Sequence, residues 1–285
     1  AGHIYSGATS AAMPIYAKAG IPLLSPSASL PELTTMGSPV FNRIVFTDAR
    51  QGTPAAEYLY NKLNVRKLAV LHDGGDYGKG LAEAVAAHFA ELGGEVVATE
   101  ALTKGESDYT AVLSAVAAKN PDALYFGGYT AEGAIVVNQM KQTGLEKAIF
   151  FGDDGTYGTD FLARTGANGE GAFATISPIP PESPEKEAFD AAYLAKFGKE
   201  AGSLSPYTWN GYDATAALIH AVKSVAITGS DGNLYVPRGA LVTAVRTLTD
   251  YKGVGGTYTC DAVGECNTLP PMFVVVKDGE WVPAP

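Results

Sequence analysis

Residues 65–94 read VRKLAVLHDGGDYGKGLAEAVAAHFAELGG, and this stretch decides the fold class. It opens with a run rich in Val and Leu that ends at the polar residues His72 and Asp73, which is typical of a buried strand. From residue 77 onward, apolar side chains recur at helical spacing until a Gly-Gly pair, which predicts the end of a helix. A buried strand followed directly by an amphipathic helix is the repeating unit of an α/β fold.

The same alternation continues along the chain in both directions. Upstream, the pattern predicts a helix over 9–19 and a strand over 21–24. Downstream, the predicted strands are GEVVATEAL (94–102), PDALYFGGY (121–129) and KAIFFGDDG (147–155), with helices between them. Beyond residue 183 the chain is mostly helical and ends in short strands. Strands joined by helices predict parallel sheets that are covered on both faces.

Composition narrows the function classes. The chain has 285 residues, enough for two domains, and 46 % of them are hydrophobic, enough for a large core. A net charge of −10 argues against binding to nucleic acid or to anionic membranes, since both need a basic surface. No apolar run approaches the ~20 residues of a membrane span. The chain begins AGHIYSGATS, with neither a leading Met nor a signal-peptide pattern, so we expect a processed chain.

The two cysteines, Cys260 and Cys266, bracket the short Gly-containing stretch CDAVGEC. This spacing is not that of a zinc site. A disulfide that closes a hairpin and two free thiols are the two interpretations, and we predict the disulfide, which would indicate an oxidising compartment.

In parallel α/β sheets, ligands bind at the carboxyl ends of the strands. The residues predicted there are hydroxyls, glycines, tyrosines and acids: Ser6, Gly7, Thr9, Ser25, Ser27, Ser29, Gly74, Gly75, Asp76, Tyr77, Tyr129, Thr130, Asp153 and Asp154. Each has a structural alternative: the hydroxyls can cap helices, the tyrosines can fill the core, and the acids can form a solvated turn. The set holds no His/Cys cluster, no metal-binding carboxylate pattern, no nucleophile motif and no dinucleotide fingerprint. We therefore predict no catalytic residue, no metal and no cofactor.

The turn in LLSPSASLPEL (23–33) has two interpretations. It can be a plain turn in which Ser29 caps a helix that begins near Pro31. Alternatively, its amides and small hydroxyls can bind an anion.

Five motifs at strand ends resemble, in order, those of the leucine/isoleucine/valine-binding proteins, which are type I periplasmic solute-binding proteins of ABC importers. The motifs are GHIYSGATSAAMPIYAKAGIPLLSPSASLPELT (2–34), HDGGDYGKGLAEAV (72–85), YFGGYTAEG (125–133), FFGDDG (150–155) and SPYTWNGYDA (205–214). The resemblance covers nearly the whole chain. It implies two α/β lobes, each a parallel sheet flanked by helices, that close on an amino acid.

The resemblance also assigns roles to single residues. It implies that Ser6, Ser27 and Ser29 bind the ligand carboxylate and that Asp154 binds the ammonium group, in place of the family's more usual Glu. It places Tyr77 and Tyr129 at the ligand and Tyr207 beside the ligand side chain. The anion-binding interpretation of the serine turn agrees with these roles, and the exported family supports the disulfide.

We expect one lobe over 1–47 and 181–255 and a second over 48–180 and 256–285, with the Pro-rich ISPIPPESP (176–184) as a crossing. Relative to the family pattern, we expect the N-terminal βα units to be missing from this chain. The implied protein is periplasmic or extracytoplasmic, with an importer permease as partner and a lipid anchor in the missing segment as one option. The alternative is a binding protein or receptor sensor domain for another small amide or carboxylate.

Overall fold

The computed structural model describes residues 1–266 and 269–285. Its strands are β1 Leu23–Ser25, β2 Phe41–Arg43, β3 Lys67–His72, β4 Glu95–Ala101, β5 Ala123–Gly127, β6 Ile149–Gly152, β7 Phe173–Ile176, β8 Ile227–Thr228, β9 Leu234–Tyr235, β10 Tyr251–Lys252, β11 Thr257–Tyr258, β12 Met272–Lys277 and β13 Glu280–Pro283. Its α-helices are α1 Ser6–Ala19, α2 Glu32–Thr35, α3 Asp48–Glu57, α4 Asp76–Glu91, α5 Thr110–Ala117, α6 Thr130–Met140, α7 Thr159–Thr165, α8 Pro184–Phe197, α9 Thr208–Val225 and α10 Arg238–Arg246. A π-helical turn, Tyr58–Lys62, follows α3, and short 3-10 turns cover Asp154–Thr156 and Gly166–Gly169.

Backbone packing divides the chain into two compact units. The first unit consists of Ala1–Thr47, Ile179–Gly202 and Tyr207–Leu269, and the second of Asp48–Pro178, Ser203–Pro206 and Pro270–Pro285. The division between residues 178 and 179 falls inside the Pro-rich stretch.

The expected boundary between residues 255 and 256 is wrong, because 256–266 belong to the first unit. β11 pairs with β10, and Tyr258 and Cys266 pack in one cluster with Leu24 and Ile44. The segment expected in the second lobe also includes residues 267 and 268, which lie outside the described residues.

The second unit contains a seven-stranded sheet in the order β13-β12-β7-β6-β5-β3-β4. The five strands from β7 to β4 are parallel, while β12 and β13 add an antiparallel edge. From β3 the chain goes first to one side, to β4, and then to the other side, through β5, β6 and β7. The strand order therefore reverses between β3 and β5, which is the point where such sheets bind ligands.

The period-two pattern of the buried strands explains how this sheet is covered. In β5, Leu124 and Phe126 point into a core with α5, α6 and α7, whereas Ala123 and Tyr125 point into a core with α3 and α4. β3 divides in the same way. Both faces are therefore buried, as the Val- and Leu-rich runs predict, and the predicted α/β class is confirmed.

The first unit has a smaller sheet, in which β1 and β2 form a parallel pair. Leu23 of β1 packs in a cluster with Met13 of α1, and the adjacent Leu24 packs in another with Ala214 and Ala217 of α9. A single parallel bridge joins Arg43 at the end of β2 to Glu265. Two short antiparallel ribbons, β8–β9 and β10–β11, complete this unit.

The structure moves one predicted helix start in the first unit and excludes two alternatives for its hydroxyls. The helix predicted over 9–19 begins at Ser6, and its N-cap residue, Tyr5, makes no side-chain capping bond, so Ser6 and Thr9 lie within the helix. The short helix α2 has Pro31 at its N-cap, again without a side-chain cap, so Ser29 does not cap it. The capping alternatives for these hydroxyls are thereby excluded.

Candidate functional site

The carboxyl ends of β3 and β5 lie side by side in the second unit, and each continues directly into a helix. His72 pairs with Gly127 in the sheet register. A Cβ atom on Gly78, in the first turn of α4, would overlap the carbonyl oxygen of Gly127, and a Cβ on Gly127 would overlap that of Gly78. Glycine at both positions lets the start of α4 approach the end of β5 closely.

This approach brings two of the predicted tyrosines together. Tyr77 is the second residue of α4, and Tyr129 is the N-cap residue of α6. Their ring centroids are 5.5 Å apart. The ammonium of Lys104 lies 5.5 Å from the Tyr129 ring centroid and 2.8 Å from Asp73, at the end of β3. The tyrosines thus line the strand ends beside the point where the strand order reverses.

Asp154 follows β6 and belongs to the same group. The Tyr77 hydroxyl donates to its Oδ1 over 2.8 Å, and the Gln51 side-chain amide donates to the same oxygen over 2.6 Å. The Gln51 amide also contacts Thr175 Oγ1 on β7 at 2.7 Å. Only 8 % of Asp154 is exposed. Two neutral donors therefore position a nearly buried carboxylate at the carboxyl edge of the sheet.

The neighbouring Asp153 has a different environment. It is fully buried, and its two carboxylate oxygens accept from the backbone amides of Gly128 and Gly155 at 2.8 and 3.0 Å. Burial raises the pKa of the Asp153 carboxyl well above its usual range, and the charge of Asp154 raises it further. Asp153 therefore ties the loop after β6 to the loop after β5 and fixes the backbone on which Asp154 sits.

In the first unit, the serine turn after β1 contacts the segment before α1. Ser25 Oγ accepts from the amides of Ser27 and Ala28 and donates to the carbonyl of His3. Ser27 Oγ donates to the carbonyl of Ile4 over 2.9 Å. The turn is thus built around Ser25, and it carries Ser27 and Ser29 to the amino end of α1.

Of the serines Ser6, Ser25, Ser27 and Ser29, only Ser6 and Ser29 donate no hydroxyl hydrogen bond among the described residues. Ser6 Oγ accepts from the amide of Leu30 at 3.3 Å, which leaves its own hydrogen for another acceptor. Ser29 is 1 % exposed, and its hydroxyl has no bond within 1–266 and 269–285. The first turn of α1 contains no acidic side chain. Helix amides and serine hydroxyls together suit an anion.

Tyr207 also belongs to the first unit. It is the N-cap residue of α9 and packs in a small buried cluster with Val45 and Phe46. The structure thus groups Tyr77, Tyr129 and Asp154 in one unit and Ser6, Ser27 and Ser29 in the other, with Tyr207 in its own apolar cluster.

Sequence reasoning missed Gln51 and Thr175, and it missed the central place of Ser25 in its turn. Gln51 lies 103 residues from Asp154 in the chain, so no local pattern connects them. The element that carries Gln51, α3, contains Gly52 and Pro54, which obscure a helical pattern.

The predicted disulfide between Cys260 and Cys266 is present, and the structure has no free cysteine in the part it describes. Among those residues, no group of three or more His, Cys, Asp or Glu side chains could hold a metal ion. None of the described helices combines the length and apolar character that a membrane crossing requires.

Comparison with known proteins identifies the family of this chain. Residues 1–279 match the family described as periplasmic binding protein. The chain belongs to this family. Among its relatives, the "Leu/Ile/Val-binding protein homolog 1" of Brucella suis is 33 % identical over 277 residues, which are 97 % of this chain and 70 % of the Brucella protein. An "Amino acid binding protein" of Pseudomonas aeruginosa is 35 % identical over 77 % of this chain. The chain spans 58 % of the Pseudomonas protein.

Solved structures of the periplasmic binding protein family share the fold. A leucine-binding protein from Thermotoga maritima superposes with a TM-score of 0.88 at 26 % identity, covering 100 % of this chain and 78 % of that one. A branched-chain amino acid transporter substrate-binding protein from Streptococcus pneumoniae, solved with isoleucine, gives 0.84 at 28 % identity and covers 98 % and 76 %. The predicted type I periplasmic binding protein fold is confirmed.

Proposed function

We propose that this chain is the substrate-binding component of an ABC importer and that it binds an aliphatic or branched-chain amino acid. The observation that carries the proposal is the carboxylate of Asp154, nearly buried at the end of β6 and positioned by Tyr77 and Gln51. The ammonium group of an amino acid is a cation that loses water on binding, so it needs a carboxylate partner, and Asp154 can serve as that partner. The names of the Brucella and Pseudomonas relatives support the same ligand class.

The ligand carboxylate is assigned to the serines of the first unit. The amino end of α1 carries positive partial charge, and no acidic side chain of its first turn offsets it. Ser6 and Ser29 can donate hydroxyl hydrogens, whereas the Ser27 hydroxyl already donates to Ile4. We therefore assign direct hydroxyl contacts to Ser6 and Ser29, and we give the Ser27 side chain the role of holding the segment before α1.

The ligand ammonium is assigned to Asp154 and Tyr129, with Tyr77 beside them. Asp is one methylene shorter than the Glu more usual in the family, so its carboxylate lies closer to the backbone. The hydrogen bonds from Tyr77 and Gln51 fix the position of that carboxylate. The aliphatic side chain is assigned to Tyr207, whose buried neighbours Val45 and Phe46 are apolar.

The same proposal includes the cellular compartment and the partner protein. An importer component of this family acts outside the cytoplasm and delivers its ligand to a membrane permease. The disulfide agrees with an oxidising compartment. Binding without chemical change is the activity we assign, so the chain is not an enzyme.

Calorimetric titration with leucine, isoleucine, valine and alanine tests this function. Asp154→Asn removes the partner of a desolvated cation, and we expect affinity to fall by about 3–5 kcal/mol. Ser29→Ala removes one hydrogen bond to a charged group, and we expect a loss of ~1.5–3 kcal/mol. Asp160→Asn on the exposed surface of α7 and Ser224→Ala on α9 are the matched controls and should bind like the unsubstituted protein.

The decisive comparison is between leucine and 4-methylpentanoate, which has the same carbon skeleton but no ammonium. If the unsubstituted protein binds both equally well, Asp154 is not an ammonium site and the amino-acid assignment fails. Tight binding of a small amide or of an unrelated carboxylate instead would establish the alternative ligand class.

A further inference from the structure

Arg43, at the end of β2, is a charged side chain with no exposed surface. Its guanidinium contacts both oxygens of Glu265, at 2.9 Å from Nε to Oε2 and 2.6 Å from Nη2 to Oε1. Nη2 also donates to Thr34 Oγ1 over 3.0 Å, and Thr34 donates to Glu265 over 2.7 Å. A buried guanidinium with a two-point carboxylate partner is rigidly oriented.

The remaining donor group of Arg43 contacts the serine turn. Nη1 donates to the carbonyl oxygens of Ala28 and Leu30, at 3.1 and 2.8 Å. These two carbonyls flank Ser29. In a planar trans peptide the carbonyl and the next amide point in opposite directions, so fixing the Ala28 carbonyl on Arg43 also fixes the direction of the Ser29 amide away from Arg43.

Glu265 is itself held by the loop that the disulfide closes. Asp261 Oδ1 accepts from the amides of Val263, Gly264 and Glu265 at 2.9–3.0 Å. The backbone of the loop pairs with β2, because the Arg43 amide donates to Gly264 and the Cys266 amide donates to Arg43. The loop over 260–266 therefore forms hydrogen bonds with both the backbone and the side chain of Arg43.

From this chain of contacts we infer that Arg43 and Glu265 are positioning residues for the ligand carboxylate. They act through the Ala28 and Leu30 carbonyls, which fix the backbone on both sides of Ser29. The proposed function assigns the Ser29 hydroxyl to the carboxylate, and the inference rests on that function. The disulfide loop lies more than 200 residues along the chain from the turn, and it supplies Glu265, the carboxylate that orients Arg43. Neither residue touches the ligand, so their effect should appear as a change in how strongly the carboxylate is recognised.

The test compares leucine with leucinamide, which keeps the ammonium and the side chain but lacks the carboxylate charge. The quantity measured by calorimetry is the ratio of the two Kd values. Thr34→Val removes one hydroxyl from the network with little change in shape, and Glu265→Gln removes the charge opposite Arg43. Tyr258→Phe is the matched control, since it removes a buried hydroxyl that bonds Asp213 in the same unit and does not contact the turn.

In Glu265→Gln we expect the leucine preference over leucinamide to fall about tenfold, or ~1.4 kcal/mol, with the leucinamide Kd nearly unchanged. Thr34→Val should give a smaller fall in the same direction. Tyr258→Phe should lower thermal stability and leave the ratio unchanged. If Glu265→Gln does not fold, the Thr34→Val ratio decides.

Two negative results are distinguishable. An unsubstituted protein that binds leucine and leucinamide equally overturns the proposed carboxylate site. A clear preference in that protein, kept in full by folded Thr34→Val and Glu265→Gln or lost to the same degree in Tyr258→Phe, leaves the function standing and overturns the positioning role.

Discussion

At the scale of single residues, Gln51 is an uncharged side chain that orients the carboxylate of Asp154. Its amide donates to Asp154 and contacts Thr175, and the donation to a carboxylate fixes which end of the amide is nitrogen. Its own carbonyl oxygen is buried without a hydrogen bond among the described residues. Gln51 therefore donates a hydrogen bond to Asp154 without placing a second charge beside it.

Gln51→Glu should reverse that effect. It places a second carboxylate within hydrogen-bonding distance of Asp154, and like charges raise the pKa of the pair, as the charge of Asp154 already raises the pKa of Asp153. If the pKa is higher in the folded state, the folded state holds a proton that the unfolded state has lost at the same pH. The free energy of unfolding therefore falls as the pH rises from the ordinary carboxyl pKa through the raised pKa. Each unit of that rise costs ~1.4 kcal/mol at higher pH.

Urea denaturation at pH 5 and pH 8 measures this. We expect the deficit of Gln51→Glu relative to the unsubstituted protein to be larger at pH 8, whereas the exposed Gln142→Glu should show no such difference. An equal deficit at both pH values would contradict the close contact with Asp154.

At the scale of elements, the sequence predicts where β3, β5 and β6 end, but it does not predict the neighbouring elements that contact those ends. Continuous apolar runs locate β3, β5 and β6, because burial on both faces of the sheet leaves no alternation of polar residues. β7 and α3 escape prediction: β7 is the four-residue FATI, and α3, DARQGTPAAE, contains a Gly and a Pro. Because Gln51 and Thr175 lie on those two elements, the Gln51 contact to Asp154 could not be predicted.

The contact between α4 and β5 yields a test at this scale. Gly78→Ala forces a methyl group against the Gly127 carbonyl, so we expect the free energy of unfolding to fall by ~1–3 kcal/mol. Gly211→Ala, within α9, meets no atom within 4 Å and should instead stabilise the protein by up to ~1 kcal/mol through helix propensity. Thermal and urea unfolding of the two variants measure the contrast. A Gly78→Ala protein as stable as Gly211→Ala would show that the helix start does not depend on this approach.

At the scale of the whole molecule, the two units differ in how their backbones are protected. The second unit has interior strands β3, β5 and β6, each paired on both sides and covered by two apolar cores. The first unit has one parallel pair and two-residue ribbons, and its β8–β9 ribbon carries the exposed side chains of Ile227, Leu234 and Tyr235. Local opening is easiest where few apolar contacts and few paired strands hold the backbone.

Native-state hydrogen exchange should therefore separate the elements. We expect the slowest amides in β3, β5 and β6 and the fastest among the ribbons in β8–β9, with β1–β2 between them. A ligand that binds only the folded state adds RT ln(1 + [L]/Kd), which is ~2.7 kcal/mol at a hundredfold excess over Kd. Leucine at that excess should slow exchange in the turn at Ser27–Ser29 and in the loop at Asp153–Gly155, because the proposal assigns the ligand carboxylate to Ser29 and the ligand ammonium to Asp154. Protection in only one of these segments would mean that only one of the two assigned poles is bound.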